Sequence, residues 1–230
     1  MSLHEPSHVA AGIPLKAHVE ALRRRVEAVA RLHGGAAYFP EELGIFRAYA
    51  DEAGLWLGET PAALRRAPDD EGNEHQVWFE EATRSYLKAT WPDFFGLLVI
   101  HRAAEEPKAS PIGYLERWDL HNELFGDTVS FLGVVQTEAG MRLVIRQPAI
   151  AGTPATEEQI HAFFTDSGWR PFEADGSRAY FDPERSLVIS DTHRANLILM
   201  DDGLLAPIDL RVQPVSGALR DAVVQLCHSF

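Results

Sequence analysis

An α+β fold is predicted for this 230-residue chain by three observations. Apolar residues recur at three- and four-residue spacing in some segments, as on one face of a helix. Elsewhere short apolar runs are paired across turn-rich links, as in hairpins. The composition, 46% hydrophobic and 24% charged, is that of a globular chain able to bury a sizeable core.

The elements follow in order. Leu15, Val19, Leu22, Val26 and Val29 predict an amphipathic helix over about 15–33, ended by Gly34-Gly35. Leu43, Ile45, Phe46, Tyr49, Leu55, Trp56 and Leu57 supply apolar material, which Gly44, Gly54 and Gly58 interrupt. Pro61 opens a short helix through Arg66, and the polar stretch 68–73 is the best internal boundary. Gln76–Phe79 and Arg84–Ala89 read as a hairpin, and Phe94–His101 as extended. Ser110, as N-cap, and Pro111, at the first helical position, start a helix that runs to about Phe125 and stops at Gly126-Asp127. Tyr114, Leu115, Trp118, Leu120 and Leu124 are its buried side. A second hairpin pairs Phe131–Val135 with Met141–Ile145. A helix opens at Thr156-Glu157-Glu158, carries Ile160, Phe163 and Phe164, and stops near Gly168. Short strands are expected at 179–181, 187–189, 197–200 and 204–206.

Charge and cysteine content exclude several function classes. Asp plus Glu outnumber Lys plus Arg by 34 to 21, a net charge of −13, which would repel a phosphate backbone. Arg23, Arg24 and Arg25 are the only basic run of three, so duplex nucleic acid is not an expected partner. Cys227 is the only cysteine, which rules out an intramolecular disulfide and a thiolate-rich metal site. The longest apolar run, Phe94–Ile100, is too short to cross a bilayer, and the first residues lack a basic-then-apolar leader. A cytoplasmic location without membrane attachment is the expectation.

The chemistry concentrates between Leu187 and Asp209. Three short apolar runs each border a polar loop: Asp191 follows the first, Asn196 precedes the second and Asp209 follows the third. A hairpin over about 197–208, turning at Asp201-Asp202-Gly203, brings Asn196 and Asp209 together. Phosphoryl transfer needs a carboxylate to hold Mg²⁺ on the phosphates, a second oxygen ligand and a carboxylate beside the attacking hydroxyl. Asp209, Asn196 and Asp191 suit those roles. With 14 aspartates in the chain such a spacing can also arise by chance, and Asp and Asn often serve only as turn residues.

Asp191 to Asn196 is five positions and Asn196 to Asp209 is thirteen. This order resembles the protein-kinase-like fold, with His193 placed as in its small-molecule kinases. Residues from about 70 to 215 more closely resemble the serine/threonine/tyrosine-kinase-like domain of bacterial and phage polyvalent proteins. The segments that carry this are Gly72–His75, Tyr114–Arg117 with Leu120–Phe125, Ser190–Asn196, and Pro207-Ile208-Asp209 with Val212-Gln213-Pro214.

The resemblance implies a compact two-lobed fold with a much reduced C-terminal lobe. Residues 1–69 are then a helical extension, 70–147 the N-lobe and 148–230 the C-lobe. It implies Mg²⁺ and ATP as cofactors and an unidentified hydroxyl acceptor, protein or small molecule. It implies Lys88 on the nucleotide phosphates, oriented by Glu116 or by Glu123 on the same helix face. Asn73 and His75 would cover the phosphates, Gln147 would lie in the adenine hinge, Asn196 and Asp209 would hold the metal, and Asp191 with His193 would serve the acceptor.

The sequence departs from the protein-kinase pattern at several points. No glycine-rich loop precedes the first hairpin beyond Gly72. Ser190 stands before Asp191 where protein kinases have arginine, and Leu210-Arg211 follow Asp209 in place of Phe-Gly. These departures keep open a non-catalytic, pseudokinase-like binding module with a protein partner. Val188–His193 also resembles the first metal motif of calcineurin-like phosphoesterases, a further alternative.

Overall fold

A computed structural model describes residues 13–33, 39–101 and 107–229. The fold is mixed α+β, as expected. Helix α1, Leu15–His33, forms over the anticipated span; its expected stop at Gly34-Gly35 lies outside the described residues. Helix α2, Phe39–Glu52, was not anticipated, because Gly44 breaks its apolar pattern. A Cβ at Gly44 would meet nothing within 4 Å, so this glycine costs only intrinsic propensity, about 1 kcal/mol. Residues Ala62–Arg65 form a single 3₁₀ turn.

Strands β1, Asp70–Glu71, β2, His75–Glu80, and β3, Ser85–Thr90, come next. The stretch expected to be extended at 94–101 is mostly irregular, with one bridge from Leu97 to Lys108. Helix α3 is Pro111–Phe125. The Ser110 side chain accepts from the Gly113 amide, and Gly126 ends the helix in the left-handed conformation, both as expected. Strands β4, Ser130–Thr137, and β5, Gly140–Pro148, complete an antiparallel sheet of order β1-β2-β3-β5-β4.

One sheet face places Phe131, Met141, Leu143 and Ile145 against the helices. Leu15, Val19 and Leu22 of α1, Phe46 and Tyr49 of α2, and Tyr114, Leu115 and Trp118 of α3 share that core. The other face carries Trp78, Leu87, Ala89 and Val144, covered by Leu57, Ala63 and Leu64. Each fully buried aliphatic side chain of this kind contributes about 1.5–3 kcal/mol. Alternation along β3 turns Leu87 and Ala89 to the second face and Lys88 to the helix side.

The second half contains β6, Thr153–Pro154, α4, Glu157–Asp166, β7, Arg170–Ala174, β8, Ser177–Asp182, and β9, Leu187–Ser190. It continues with β10, Leu197–Leu199, β11, Leu205–Pro207, β12, Arg211–Pro214, and α5, Gly217–His228, a helix not anticipated. Thr156 and Gln159 close a reciprocal capping box on α4. The strands make a three-stranded sheet, β11-β10-β6, and a four-stranded sheet, β12-β9-β8-β7. Leu120, Leu124 and Phe125 of α3 pack on the core formed by α4 and these strands. Helix α3 therefore belongs to both cores, and the candidate residues gather along it. No described helix is long and apolar enough to cross a membrane.

Candidate functional site

Lys88 is buried, and its Nζ donates to Asp209 Oδ2 at 3.0 Å and to the Ile208 carbonyl at 3.3 Å. The ammonium lies 5.0 Å from the centre of the Trp118 ring, and the Arg117 guanidinium lies 5.1 Å from it. This aromatic face favours both cations. Asp209 Oδ1 accepts from Arg117 Nη2 at 2.8 Å. Burial alone would raise the Asp209 carboxyl, but Lys88, His75 and Arg117 outweigh it and hold the group well below the usual carboxylate range.

Arg117 also donates through Nε to the Leu210 carbonyl at 2.8 Å and through Nη1 to Glu74 Oε2. Glu74 Oε1 accepts from the Leu97 amide at 3.0 Å and from Arg211 Nε at 2.8 Å. Burial opposes its ionisation, yet Arg117, His75 and Arg211 keep its carboxyl low. A Cβ on Gly96 would come 3.1 Å from Glu74 Oε2, so this close approach calls for glycine there.

The loops after β9 and β11 are joined by one side chain. Asn196 Nδ2 donates to the carbonyls of Asp191 and Asp209, both at 3.0 Å. Both amide protons are thus spent on backbone, which fixes the side chain between the two loops. Asp191 has φ +64°, a left-handed conformation that aspartate tolerates better than most residues. Its Oδ1 lies 3.3 Å from His193 Nε2, and its Oδ2 lies 3.7 Å from Arg211 Nη2. His193 Nδ1 accepts from the Ala195 amide, and its Nε2 lies 3.2 Å from Asn196 Nδ2 as well as near Asp191.

Lys88, Asp191, His193, Asn196 and Asp209 are therefore brought together. Other expected residues are not. Glu116 does not reach Lys88; its carboxylate pairs with Arg23 of α1 at 2.7 Å. The inner face of α3 carries Tyr114, Arg117, Trp118 and His121, and Glu116 sits about 100° off that face. Glu123, two turns further along, is exposed. Gln147 lies opposite Tyr86 within the β3–β5 ladder, and its buried amide donates to Asp127 Oδ2 at 2.6 Å. The hinge role expected here is one for backbone groups, on which this side-chain bond does not bear.

Asn73 is exposed in the β1–β2 turn. His75 points inward rather than over an open phosphate site. Its Nε2 is 2.9 Å from Tyr114 Oη, and its Nδ1 is 4.0 Å from Asp209 Oδ2. Burial pushes its imidazole down to about 4, so it is neutral at pH 7. His121 is fully buried, with neither ring nitrogen hydrogen-bonded among the described residues. Burial, aided by Arg117, pushes it down to about 3.

Glu74, Arg117 and Arg211 were missed as site residues. The ion pairs that join them to one another span 43 and 137 positions, and no local pattern marks them.

Among the described residues no group of three His, Cys, Asp or Glu side chains is suited to a metal ion. The donor set nevertheless fits a magnesium carried on phosphates, which needs only one or two protein oxygens. Asp209 is ionised, and Asn196, its amide protons spent, has only its carbonyl oxygen to offer a cation. Lys88 is the buried cation beside the Asp209 carboxylate.

Comparison with protein families matches residues 40–213 to the family described as Serine/Threonine/Tyrosine Kinase found in polyvalent proteins. Comparison with curated proteins and with solved structures returned no match.

Proposed function

Because the chain belongs to the family of serine/threonine/tyrosine kinases found in polyvalent proteins, we propose that it is a Mg-ATP-dependent phosphotransferase acting on a hydroxyl acceptor. The observation that carries this reading is the junction of Lys88 with Asp209 at 3.0 Å, beside the Asn196 bridge between the Asp191 and Asp209 loops. A strand lysine, a metal-side carboxylate, an amide oxygen and a loop carboxylate then stand in the order that phosphoryl transfer requires. The family match, which spans Asp191 and His193, favours the kinase reading over the calcineurin-like alternative.

In this reading Lys88 contacts the α and β phosphates. Asp209 and Asn196 hold Mg²⁺, which neutralises charge on the phosphates when bound. Asp191 orients the acceptor hydroxyl and takes its proton, and His193, 3.3 Å away, helps to hold the Asp191 loop. Residues 70–147 act as an N-lobe and 148–230 as a reduced C-lobe, with 1–69 as an accessory region whose helices α1 and α2 pack on α3. A cytoplasmic setting, where ATP is supplied, accompanies this reading.

One observation favours a second reading. Both Asp209 oxygens already carry cationic partners, as they would in a non-catalytic binding module. Calorimetry with ATP separates the two, run with Mg²⁺ and then with EDTA. The kinase reading expects Mg-dependent binding that disappears in Asp209→Asn. Well-folded protein that binds no nucleotide would overturn it in favour of the binding module.

A further inference from the structure

Glu116 and Arg117 are consecutive on α3 and serve opposite sides of it. Glu116 ties the helix outward to Arg23, while Arg117 reaches inward to the site. The Arg117 side chain is only 6% exposed, so each of its contacts is made away from water.

Two of those contacts fall on adjacent residues. Nε holds the Leu210 carbonyl and Nη2 holds Asp209 Oδ1, each at 2.8 Å. One planar fork thus grips the backbone just after Asp209 and the carboxylate itself. A guanidinium can do this because its donors are fixed in one plane; an ammonium cannot. With Oδ1 held, Oδ2 is the oxygen left facing Lys88. The third contact, to Glu74, supplies the charge that lets an arginine be buried here.

We propose that Arg117 is the positioning residue of the site, orienting Asp209 from α3, with Glu74 as its counter-charge. The helix thereby acts on the metal-side carboxylate rather than on the strand lysine, and with the opposite charge to the glutamate expected from the sequence. An Arg117–Glu74 pair present only for packing would not need both bonds to residues 209 and 210. Arg117 covers only Oδ1 of Asp209; Oδ2 is covered by Lys88. The proposal rests on the reading of Asp209 as the metal-side carboxylate, and its test separates the two.

The informative variant is the double substitution Arg117→Met with Glu74→Gln, which removes both charges of the buried pair together. Two measurements are made on the full chain. The first is ATP affinity by calorimetry with Mg²⁺ and with EDTA. Magnesium should strengthen binding to the unaltered protein. In the double variant that gain should fall by roughly tenfold or more, while binding in EDTA, held by Lys88, changes by less than about threefold.

The second measurement needs no nucleotide. The three-bond Hα–Hβ couplings of Asp209, assigned against Asp209→Asn, should report one χ1 rotamer in the unaltered protein and averaging in the double variant. A single unchanged rotamer in the variant overturns the role of Arg117, whatever the nucleotide result. Averaging in a protein that never binds ATP supports Arg117 as the residue that orients Asp209 but removes the kinase reading. Should the double variant not fold, Arg117→Lys keeps the charge and loses the fork. It should show the same averaging and a smaller loss of the magnesium gain; unchanged couplings there overturn the proposal equally.

Discussion

Lys88 and Asp209 are 121 residues apart in the chain, and their charged atoms meet at 3.0 Å. Between them lie α3, α4 and the strands β4 to β11, so the contact exists only when both cores have formed around α3. The bond ties the five-stranded sheet to the start of β12, with Trp118 lying against the ammonium.

Lys88→Met tests what that cation does. The substitution keeps most of the side-chain volume and leaves Asp209 with Arg117 as its strong partner. A charge-assisted hydrogen bond contributes about 1.5–3 kcal/mol, so ATP affinity should fall roughly 10- to 100-fold. The loss should appear both with Mg²⁺ and with EDTA, because the lysine acts on phosphate directly. Unchanged affinity in calorimetry would show that Lys88 serves only to bury Asp209.

Gly96→Ala tests the close packing around Glu74. Gly96 has φ +87°, and an added Cβ would press on the Glu74 carboxyl at 3.1–3.2 Å. That carboxylate is held from three sides by Arg117, Arg211 and the Leu97 amide and has little room to yield. Strain and crowding together should cost about 1–3 kcal/mol in urea unfolding at pH 7. Gly126→Ala is the comparison: it also has positive φ, at +67°, but meets nothing within 4 Å. Equal losses in the two variants would refute the crowding argument.

The legible part of the site was the part whose partners are close in sequence. Asp191, Asn196 and Asp209 flank one hairpin, and turn chemistry at Asp201-Asp202-Gly203 with apolar strands on either side predicts their meeting. Lys88 was legible only through the family resemblance, from its place on the second strand of the first hairpin ahead of α3.

The phase of α3 was not. Pro111, Ile112, Tyr114, Leu115, Arg117, Trp118, Asp119 and His121 are all buried, because the helix has cores on more than one side. A helix buried nearly all round has no single apolar stripe, so the sequence could not distinguish Glu116 from Arg117 as the inward residue. Glu74 and Arg211 were not singled out for a related reason: only the tertiary fold brings them together, 137 positions apart. Helix α5 lacks a strong cue, since its N-cap Ser216 makes no side-chain capping bond.

Asn196→Asp tests the bridge between the loops. The asparagine donates both amide protons to backbone carbonyls, and an aspartate would set a carboxylate against those two oxygens. Loss of both bonds and the new repulsion should destabilise the protein by about 1–3 kcal/mol, read from the urea midpoint. Asn196→Ala should lose the bonds without the repulsion and fall less. If the aspartate variant proves as stable as the original, the bridge has no structural weight.

Stability should fall as pH drops below neutrality, before the carboxylates titrate. In the folded protein His75 is pushed down to about 4 and His121 to about 3, both chiefly by burial, from an ordinary value of 6.5. Between pH 6.5 and those values the unfolded chain binds protons that the folded chain refuses, so acid favours unfolding. Each pH unit of displacement corresponds to about 1.4 kcal/mol, so the two histidines together cost on the order of several kcal/mol by pH 4. The groups facing His75 are Asp209, Glu74, Lys88 and Arg117, whose opposing charges leave burial dominant. His121 faces Arg117, Asp209 and Lys88, and Asp127 lies 3.5 Å from its Nδ1. Below about pH 4 the lowered carboxyls of Asp209 and Glu74 add their own loss in the same direction. Urea midpoints at pH 7, 5.5 and 4.5 should therefore decline steadily. His121→Leu, which removes the unbonded ring nitrogens, should flatten that decline by about the share of one histidine. A profile identical to that of the unaltered protein would show that His121 finds a partner on protonation, with Asp127 the nearest acceptor.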